Sequence, residues 1–252
     1  MDKKPSRAYR AVWRTLKAIY PKMEIQGAEN LPEGGAILVG NHAQIHGPLA
    51  AELYFPEGRY TWCAAEMMTL GEVPAYAYRD FWSQKPKYSQ WLYHILSYLI
   101  APLAVFLFNN ANTIPVYHDT RVLRTFRETV KRLCEGNKIV IFPEQDRKYN
   151  HILYEFQKHF ADTALMYYKK SGKPVSFVPM YITPRLRRIV FGPPVTYNPE
   201  LPLEEERSRI CDALKTEITA LAMKLPRHTV IPYRNIPKRD YPSNIPDEVK
   251  HP

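Results

Sequence analysis

The sequence predicts an α/β protein: a single domain with a mostly buried, mixed or parallel sheet flanked by helices, preceded by an amphipathic N-terminal helix. Short apolar runs of strand length alternate with stretches that have helical periodicity, and no linker or low-complexity segment divides the 252 residues. Continuous apolar strands that alternate with helices are typical of sheets covered on both faces. Hydrophobic residues form 45% of the chain, which is enough for one substantial core.

The individual elements follow from these patterns. We assign strands to the apolar runs at 23–25, 36–40, 60–65, 112–117, 138–142, 175–182 and 189–191. Apolar residues at helical spacing predict helices over 6–20, 49–54, 120–134, 151–170 and 204–224. Ser6 and Asp119 suit the start of two of these helices, and Gly136 suits the end of one.

The longest uncharged apolar run extends from Leu92 to Phe108 and contains Pro102. It is shorter than the roughly 20 residues that a membrane-spanning helix needs. We therefore expect a buried or membrane-dipping hairpin here and not a span. The charged N-terminus lacks the apolar core of a secretory signal, so no such signal is expected.

We divide the chain into three parts. Residues 1–22 form an amphipathic basic helix whose aromatic face, including Trp13, either contacts anionic headgroups or packs onto the protein's own core. Residues 23–225 form the α/β domain. Residues 226–252 form a proline-rich basic tail, which we expect to be extended.

The composition narrows the choice of partners. Lysine and arginine total 35 against 25 acidic residues, a formal charge of +10, which favours a phospholipid surface, a phosphorylated substrate or nucleic acid. The chain lacks an aromatic and basic recognition motif, so no nucleic acid is expected. Cys63, Cys134 and Cys211 are widely spaced, which argues against a disulfide framework or a zinc site.

A histidine stands at the point where the second predicted strand stops. The apolar run ends at Gly40 and continues into Asn41 and His42. Open α/β sheets place ligands at the carboxyl ends of their strands, so His42 is the candidate for chemistry, with a structural role in the turn as the alternative. His46 follows at helical spacing, but Gly47-Pro48 breaks the helix and no third ligand is evident, so no metal is expected.

Four blocks between Glu24 and Tyr197 resemble, in order, the glycerolipid acyltransferase family, which contains the lysophosphatidic acid acyltransferases. They are Gly-Ala-Glu-Asn-Leu-Pro at 27–32 leading into Val-Gly-Asn-His at 39–42, Thr-Ile-Pro-Val-Tyr at 113–117, Phe-Pro-Glu-Gln-Asp-Arg at 142–147 and Val-Pro-Met-Tyr-Ile at 178–182. The third block is similar to the family's Phe-Pro-Glu-Gly-Thr-Arg.

The resemblance implies transfer of a fatty acyl group from an acyl thioester, acyl-CoA or acyl carrier protein, to a hydroxyl of a lysophospholipid or glycerol phosphate-like acceptor. It implies no cofactor and a peripheral or monotopic place on the cytoplasmic face of a membrane. His42 would be the general base and Arg147 would hold a phosphate, with Glu144 shaping that site or orienting Arg147. Without the family, Glu144 and Arg147 read as a structural ion pair. The remaining substrate-binding candidates are Asn41, His46 and Gln145.

The chain departs from the family at two positions. The family's first block is histidine, four residues, then an aspartate that orients the imidazole, and here that position is Gly47. In the third block, Gly-Thr is replaced by Gln145-Asp146. We therefore expect Asp146 to supply the missing carboxylate through a short contact with His42. The alternative is a catalytically impaired lipid-binding or regulatory homologue, and Gly47→Asp is expected to distinguish the two.

Overall fold

A computed structural model describes residues 6–55, 58–83 and 85–246. The strands are β1 (Glu24–Gln26), β2 (Ala36–Gly40), β3 (Arg59–Ala64), β4 (Thr113–Val116), β5 (Lys138–Ile141), β6 (Glu144–Tyr149), β7 (Tyr154–Phe156), β8 (Ser176–Thr183), β9 (Arg188–Phe191) and β10 (Val195–Thr196). The helices are α1 (Arg7–Ile19), α2 (His46–Tyr54), α3 (Val73–Ala77), α4 (Gln90–Asn110), α5 (Val122–Cys134), α6 (Asp162–Ser171) and α7 (Leu203–Lys224).

Eight of the strands form one mixed sheet in the order β1-β9-β8-β2-β5-β3-β4, with β10 paired to β8. β2 lies in the middle and is parallel to both β5 and β8, with Leu38 opposite Val140 and Val178. Only the β8–β9 and β8–β10 pairs of this sheet are antiparallel. The predicted α/β class and buried mixed sheet are confirmed.

The central strand packs on both faces, which explains its unbroken apolar sequence. Ile37 and Val39 join a large core cluster on one face, together with Ile210 and Leu214 of α7. Leu38 points the other way, into a second cluster that includes Ala51 of α2. Every residue of β2 is buried. The chain leaves the strand after Gly40 and enters the loop that begins with Asn41 and His42.

The N-terminal helix begins as predicted. The Ser6 side chain accepts a hydrogen bond from the backbone N–H of Tyr9, as a helix N-cap does. Two aromatic residues of α1 contact α2: Tyr9 Oη donates to Glu52 Oε1 at 2.7 Å and Trp13 Nε1 donates to the Glu52 carbonyl at 3.2 Å. Part of the aromatic face of α1 therefore packs on the domain itself.

The predicted helix over 151–170 is wrong in its first half. Residues 144–156 form a hairpin of β6 and β7, and α6 begins only at Asp162. The turn is held by Asn150, whose Oδ1 accepts from the backbone N–H groups of Ile152 and Leu153. The Tyr154 N–H then donates to the Glu144 carboxylate at 2.9 Å, a tertiary hydrogen bond that helical periodicity does not reveal.

The hairpin predicted within 92–108 is also wrong. This run lies in the single helix α4, which continues through Pro102, and one face of it is exposed. Among the described residues, the segment Lys87–Asn110 is the one helix long and apolar enough to cross a membrane, judged by length and composition. A 21-residue helix is about 31 Å long.

The described part of the tail folds back on itself through an antiparallel bridge between Thr229 and Ser243, and it is packed onto the domain. Val230 and Asn244 are buried, and Asn244 Nδ2 donates to the Ala222 carbonyl at the end of α7. His228 is also buried, with its Nε2 2.9 Å from Tyr181 Oη. Residues 1–5 and 247–252 of the predicted N-terminal helix and tail lie outside the described residues.

Candidate functional site

The site begins where β2 ends. Asn41 is buried, its Nδ2 donates to the Ile182 carbonyl at 2.9 Å, and its Oδ1 accepts from the Ile182 N–H at 2.7 Å. This amide joins the carboxyl end of β2 to β8. Its oxygen and nitrogen are both bonded to the backbone of β8, which gives Asn41 a structural role, and substrate binding by this residue stays a prediction.

The loop after Asn41 is unusually tight. Ala43 and Gln44 have positive φ angles of 44° and 56°, and the Gly47 N–H donates to the His42 carbonyl at 3.0 Å. A Cβ atom on Gly47 would lie 2.4 Å from the His42 carbonyl oxygen and 2.9 Å from that of Asn41. The position that carries the family's aspartate therefore has no room for a side chain, and Gly47→Asp is not the simple restoration that we expected.

Glu144 holds this loop from the neighbouring hairpin. Its buried carboxylate accepts from the His42 backbone N–H at 2.7 Å and from the Tyr154 N–H at 2.9 Å. Burial raises the pKa of Glu144 to about 7, although these two N–H groups oppose the shift. Glu144 therefore positions His42 through the backbone, and it does not orient Arg147 as predicted.

The His42 ring lies between two aromatic rings, Phe142 at 5.5 Å and Tyr233 at 5.4 Å between centroids, both edge-on. Its Nδ1 is buried and has no hydrogen-bond partner among the described residues. Burial lowers the pKa of His42 to about 4, while polar backbone groups of Gln44 and of His42 itself, and then the negative charge of Asp80, oppose the shift. The imidazole is therefore neutral near pH 7 and retains a lone pair that can accept a proton.

The predicted contact between Asp146 and His42 is absent from the described residues. Asp146 is exposed, and its carboxylate lies 3.5 Å from Arg234 Nε. The acidic group that acts electrostatically on His42 is Asp80, on a π-helical turn that spans Tyr78–Trp82. Asp80 also pairs with Arg79 at 2.9 Å. Extended β6 carries Asp146 to the tail, and the carboxylate does not reach the ring.

The other predicted residues separate from His42. His46 Nδ1 lies 3.1 Å from Tyr20 Oη, and burial lowers its pKa, with the charges of Arg185 and Lys238 adding to the effect. Gln145 Nε2 donates to the Phe156 carbonyl inside the hairpin, at 3.3 Å.

Arg147 is exposed and forms no ion pair in the described part of the chain, so the structural pair with Glu144 is not formed. Across the described ranges, no group of three or more histidine, cysteine or acidic residues could hold a metal ion.

The chain was compared with family models, curated proteins and solved structures, and only the solved structures give a match. No family model matches the chain, and no curated protein matches it. Among solved structures, the chain is similar to the crystal structure of the 1-acyl-sn-glycerophosphate (LPA) acyltransferase, PlsC, from Thermotoga maritima. The TM-score is 0.49 and the sequence identity 19%, over 87% of this chain and 83% of that chain.

The tail contributes residues that sequence reasoning missed. Tyr233 contacts the His42 ring, Asn235 Nδ2 donates to the Phe81 carbonyl at 3.0 Å, and Tyr241 Oη accepts from Gln44 Nε2 at 2.9 Å. Residues 233–241 thus lie across the loop that carries His42, and we call this segment the strap. Its tyrosines stand in a proline-rich sequence with no periodicity, so no pattern in the sequence connects them to His42.

Cys63 lies in β3 and packs against the buried cluster of α3 and α4 that also contains Met67. Burial raises the pKa of the Cys63 thiol to about 12, and Glu66 adds to the shift. The thiol is therefore protonated near pH 7, which makes it a poor nucleophile.

Proposed function

We propose that this protein is an acyltransferase. It moves a fatty acyl group from an acyl thioester, acyl-CoA or acyl carrier protein, to a hydroxyl of a lysophospholipid or glycerol phosphate-like acceptor. It needs no cofactor and works at a membrane, on its cytoplasmic face, as a peripheral or monotopic protein. The acyl thioester and the lysolipid are its small-molecule partners.

One observation carries the proposal: a half-buried His42, neutral near pH 7 and with no hydrogen-bond partner at Nδ1 among the described residues, stands where the central strand ends. Buried Glu144 fixes the backbone of that residue from the Phe-Pro-Glu block. The first and third blocks of the family resemblance therefore meet at one place. Burial raises the pKa of the Cys63 thiol to about 12, which makes Cys63 a poor nucleophile and favours direct transfer over a covalent acyl-cysteine intermediate.

The chemistry needs only a base. The imidazole of His42 takes the proton of the acceptor hydroxyl while the hydroxyl oxygen attacks the thioester carbonyl carbon. A carbon–oxygen bond forms and the carbon–sulfur bond breaks. The leaving thiolate then takes the proton from the imidazolium, which returns His42 to its neutral form.

The acceptor's phosphate has candidate partners on β6. Arg147 and Lys148 are exposed, and a guanidinium without an internal ion pair is available for charge-assisted hydrogen bonds to a phosphate. We assign the phosphate contact to Arg147. Arg147→Gln is expected to raise KM for a phosphorylated acceptor and to leave the use of an uncharged acceptor unchanged.

A second function is favoured by the surroundings of His42. No carboxylate in the described ranges contacts its ring, and Tyr233 covers it. These features fit a homologue that binds lipid at the membrane and has little or no turnover.

Labelled acyl-CoA and acyl carrier protein, offered with a panel of lysolipids, distinguish the two functions. The acyltransferase predicts product that disappears in His42→Gln and persists in His118→Gln, which changes an exposed histidine far from β2 in the sequence. Turnover that survives His42→Gln would remove the catalytic assignment. Lysolipid binding with no turnover on any acceptor would support the binding homologue.

A further inference from the structure

The outward face of α4 is an apolar stripe on the surface of the protein. Leu99 is 70% exposed, Tyr98 68% and Trp91 65%. The stripe recurs every three to four residues, and its exposed members are Trp91, Leu92, Ile95, Tyr98, Leu99, Pro102 and Leu103. Contiguous apolar surface of this kind on a protein marks an interaction site.

The opposite face of the same helix is fixed to the domain. Ser97, Ala101 and Ala104 are buried, and the two alanines pack with Met67, Val73 and Ala77 of the core. These small residues bring the α4 backbone close to α3. The exposed stripe is therefore held outward by packing on its reverse side.

Both ends of α4 are also attached. At the start, His94 stacks on Tyr78 at 3.8 Å, and Gln90 Nε2 donates to the Ser83 carbonyl. At the end, Asn109 Nδ2 donates to the Met68 carbonyl, and β4 pairs with β3 only a few residues later. A helix held along one side and at both ends presents one face and does not leave the domain to cross a bilayer.

Basic residues predominate around the stripe. Residues 88–117 contain no aspartate, glutamate, lysine or arginine, and exposed Lys85 and Lys87 stand just before the helix. Exposed Glu72 and Asp80 are the acidic residues at α3 and the π-helical turn, which pack on α4. Helix α1 contacts α4 and contains no acidic residue. Its exposed basic residues are Arg7, Arg10, Arg14 and Lys17.

We propose that α4 lies in the plane of an anionic phospholipid bilayer and inserts only its outward face, with the basic residues of α1 against the headgroups. An apolar stripe with tryptophan and tyrosine beside a cationic rim is what an interfacial helix requires. A second copy of this chain would bring the same basic rim against itself, so an anionic lipid surface fits better. The proposal deepens the proposed function by naming the surface from which its lipid acceptor arrives.

Vesicle co-sedimentation tests the proposal without needing turnover. Phosphatidylcholine vesicles with and without phosphatidylglycerol are compared for the full chain, Leu99→Asp/Leu103→Asp and Leu123→Asp/Met223→Asp. The last variant is the matched control because it adds the same two charges at apolar residues that are 51% and 48% exposed on α5 and α7. We expect the double variant to reduce binding to phosphatidylglycerol vesicles at least about tenfold and the control to bind like the parent.

Equal binding by the parent and the double variant would overturn the proposal. Sedimentation equilibrium covers the other occupant: a dimer of the parent that Leu99→Asp/Leu103→Asp dissociates would assign the stripe to self-association. A nitroxide on Leu99→Cys, in a Cys134→Ser background, reports depth. A label near the bilayer centre, and not just below the headgroups, would make α4 a spanning helix and contradict one-sided insertion.

Turnover separates this inference from the proposed function. On a monomeric, short-chain lysolipid, the double variant should retain the parent's activity, whereas on vesicles it should lose activity in proportion to binding. If the parent has no turnover but binds vesicles through α4, the proposed function fails and the docking surface stands. If the parent turns over the monomeric acceptor and the double variant binds vesicles like the parent, the proposed function stands and the docking surface fails.

Discussion

Gly47 is a residue whose role is steric. Its N–H donates to the His42 carbonyl, and any side chain there would meet two backbone oxygens. Backbone cannot move aside as the end of a flexible side chain can, so a substitution must displace the loop that carries His42. The family's aspartate and this tight loop are mutually exclusive.

Gly47→Ala should destabilise the protein by about 2 kcal/mol, the usual cost of overpacking. Urea unfolding measures the change, and Gly71→Ala is the control because a Cβ there meets no atom within 4 Å. Equal stability of the two variants would mean that the loop relaxes at little cost.

His42 should make stability depend on pH. Its pKa is lowered to about 4 in the folded protein, so the unfolded chain, with a pKa near 6.5, binds the proton first as pH falls. The contribution is complete above pH 6.5 and is lost as pH falls toward 4.

Relative to His42→Gln, the parent should lose up to about 3 kcal/mol of unfolding free energy between pH 6.5 and 4. Parallel urea titrations at a series of pH values measure this difference. A constant difference across that window would show that the imidazole is not shielded from solvent.

At the scale of elements, the strap shields His42. Buried Asn244 fixes the rest of the tail to the end of α7. Tyr233 covers the ring, while Asn244 is fully buried and bonds to the Ala222 carbonyl and the His228 N–H. The tail thus connects the end of α7 to the site at the end of β2.

Tyr233→Ala should raise the pKa of His42 from about 4 toward 6.5, because water replaces the aromatic ring and stabilises the charged imidazole. NMR titration of the histidine ring signals measures this shift. The half-buried tail residue Tyr241 provides the control as Tyr241→Phe, which keeps the ring and removes the hydrogen bond from Gln44. An unchanged His42 pKa in Tyr233→Ala would mean that the other neighbours suffice to exclude water.

Asn244→Ala should cost about 2 kcal/mol of stability, since it leaves buried backbone groups without partners. Asn198→Ala is the matched change at a less buried asparagine whose side chain accepts only from the Glu200 N–H. Thermal unfolding followed by circular dichroism distinguishes the two. Similar losses of stability in both variants would show that the hydrogen bonds of Asn244 stabilise the protein no more than those of an ordinary surface asparagine.

For the whole molecule, the distribution of charge matters more than its total of +10. Basic residues of α1 lie on a helix that contacts α4, whereas those of α5 lie on a different helix of the sheet domain. A flat anionic surface bound through α4 meets the first group. Surface charges beyond about 8 Å are screened at physiological salt, so distant groups add little.

Arg10→Glu/Arg14→Glu should therefore weaken binding to anionic vesicles much more than Arg124→Glu/Arg127→Glu. The two variants have equal net charge, so a difference between them isolates position, and raising the salt concentration should reduce that difference. Co-sedimentation measures it. Equal losses would show that net charge alone drives binding.

The sequence by itself determined the α/β class, most strands and helices, and the place of His42 after the central strand. Each rests on local information: apolar runs, helical periodicity, and the Ser6 cap that forms as predicted. Within the site, the sequence also identified Glu144, although as a substrate residue. These features could be predicted because the burial of β2 and the capping of α1 depend on residues that are neighbours in the sequence.

Only the tertiary structure decided which groups meet. Residues 151–156 have helical periodicity but belong to the hairpin, in which the Tyr154 N–H donates to Glu144. The apolar run at 92–108 lies in a surface helix because small residues pack its other face onto the domain. Asp146 pairs with Arg234 and not with His42. Tyr233, which is distant in the sequence, contacts the His42 ring. These contacts depend on how the chain folds back on itself, whether within one hairpin or between distant segments, so no apolar or helical periodicity predicts them.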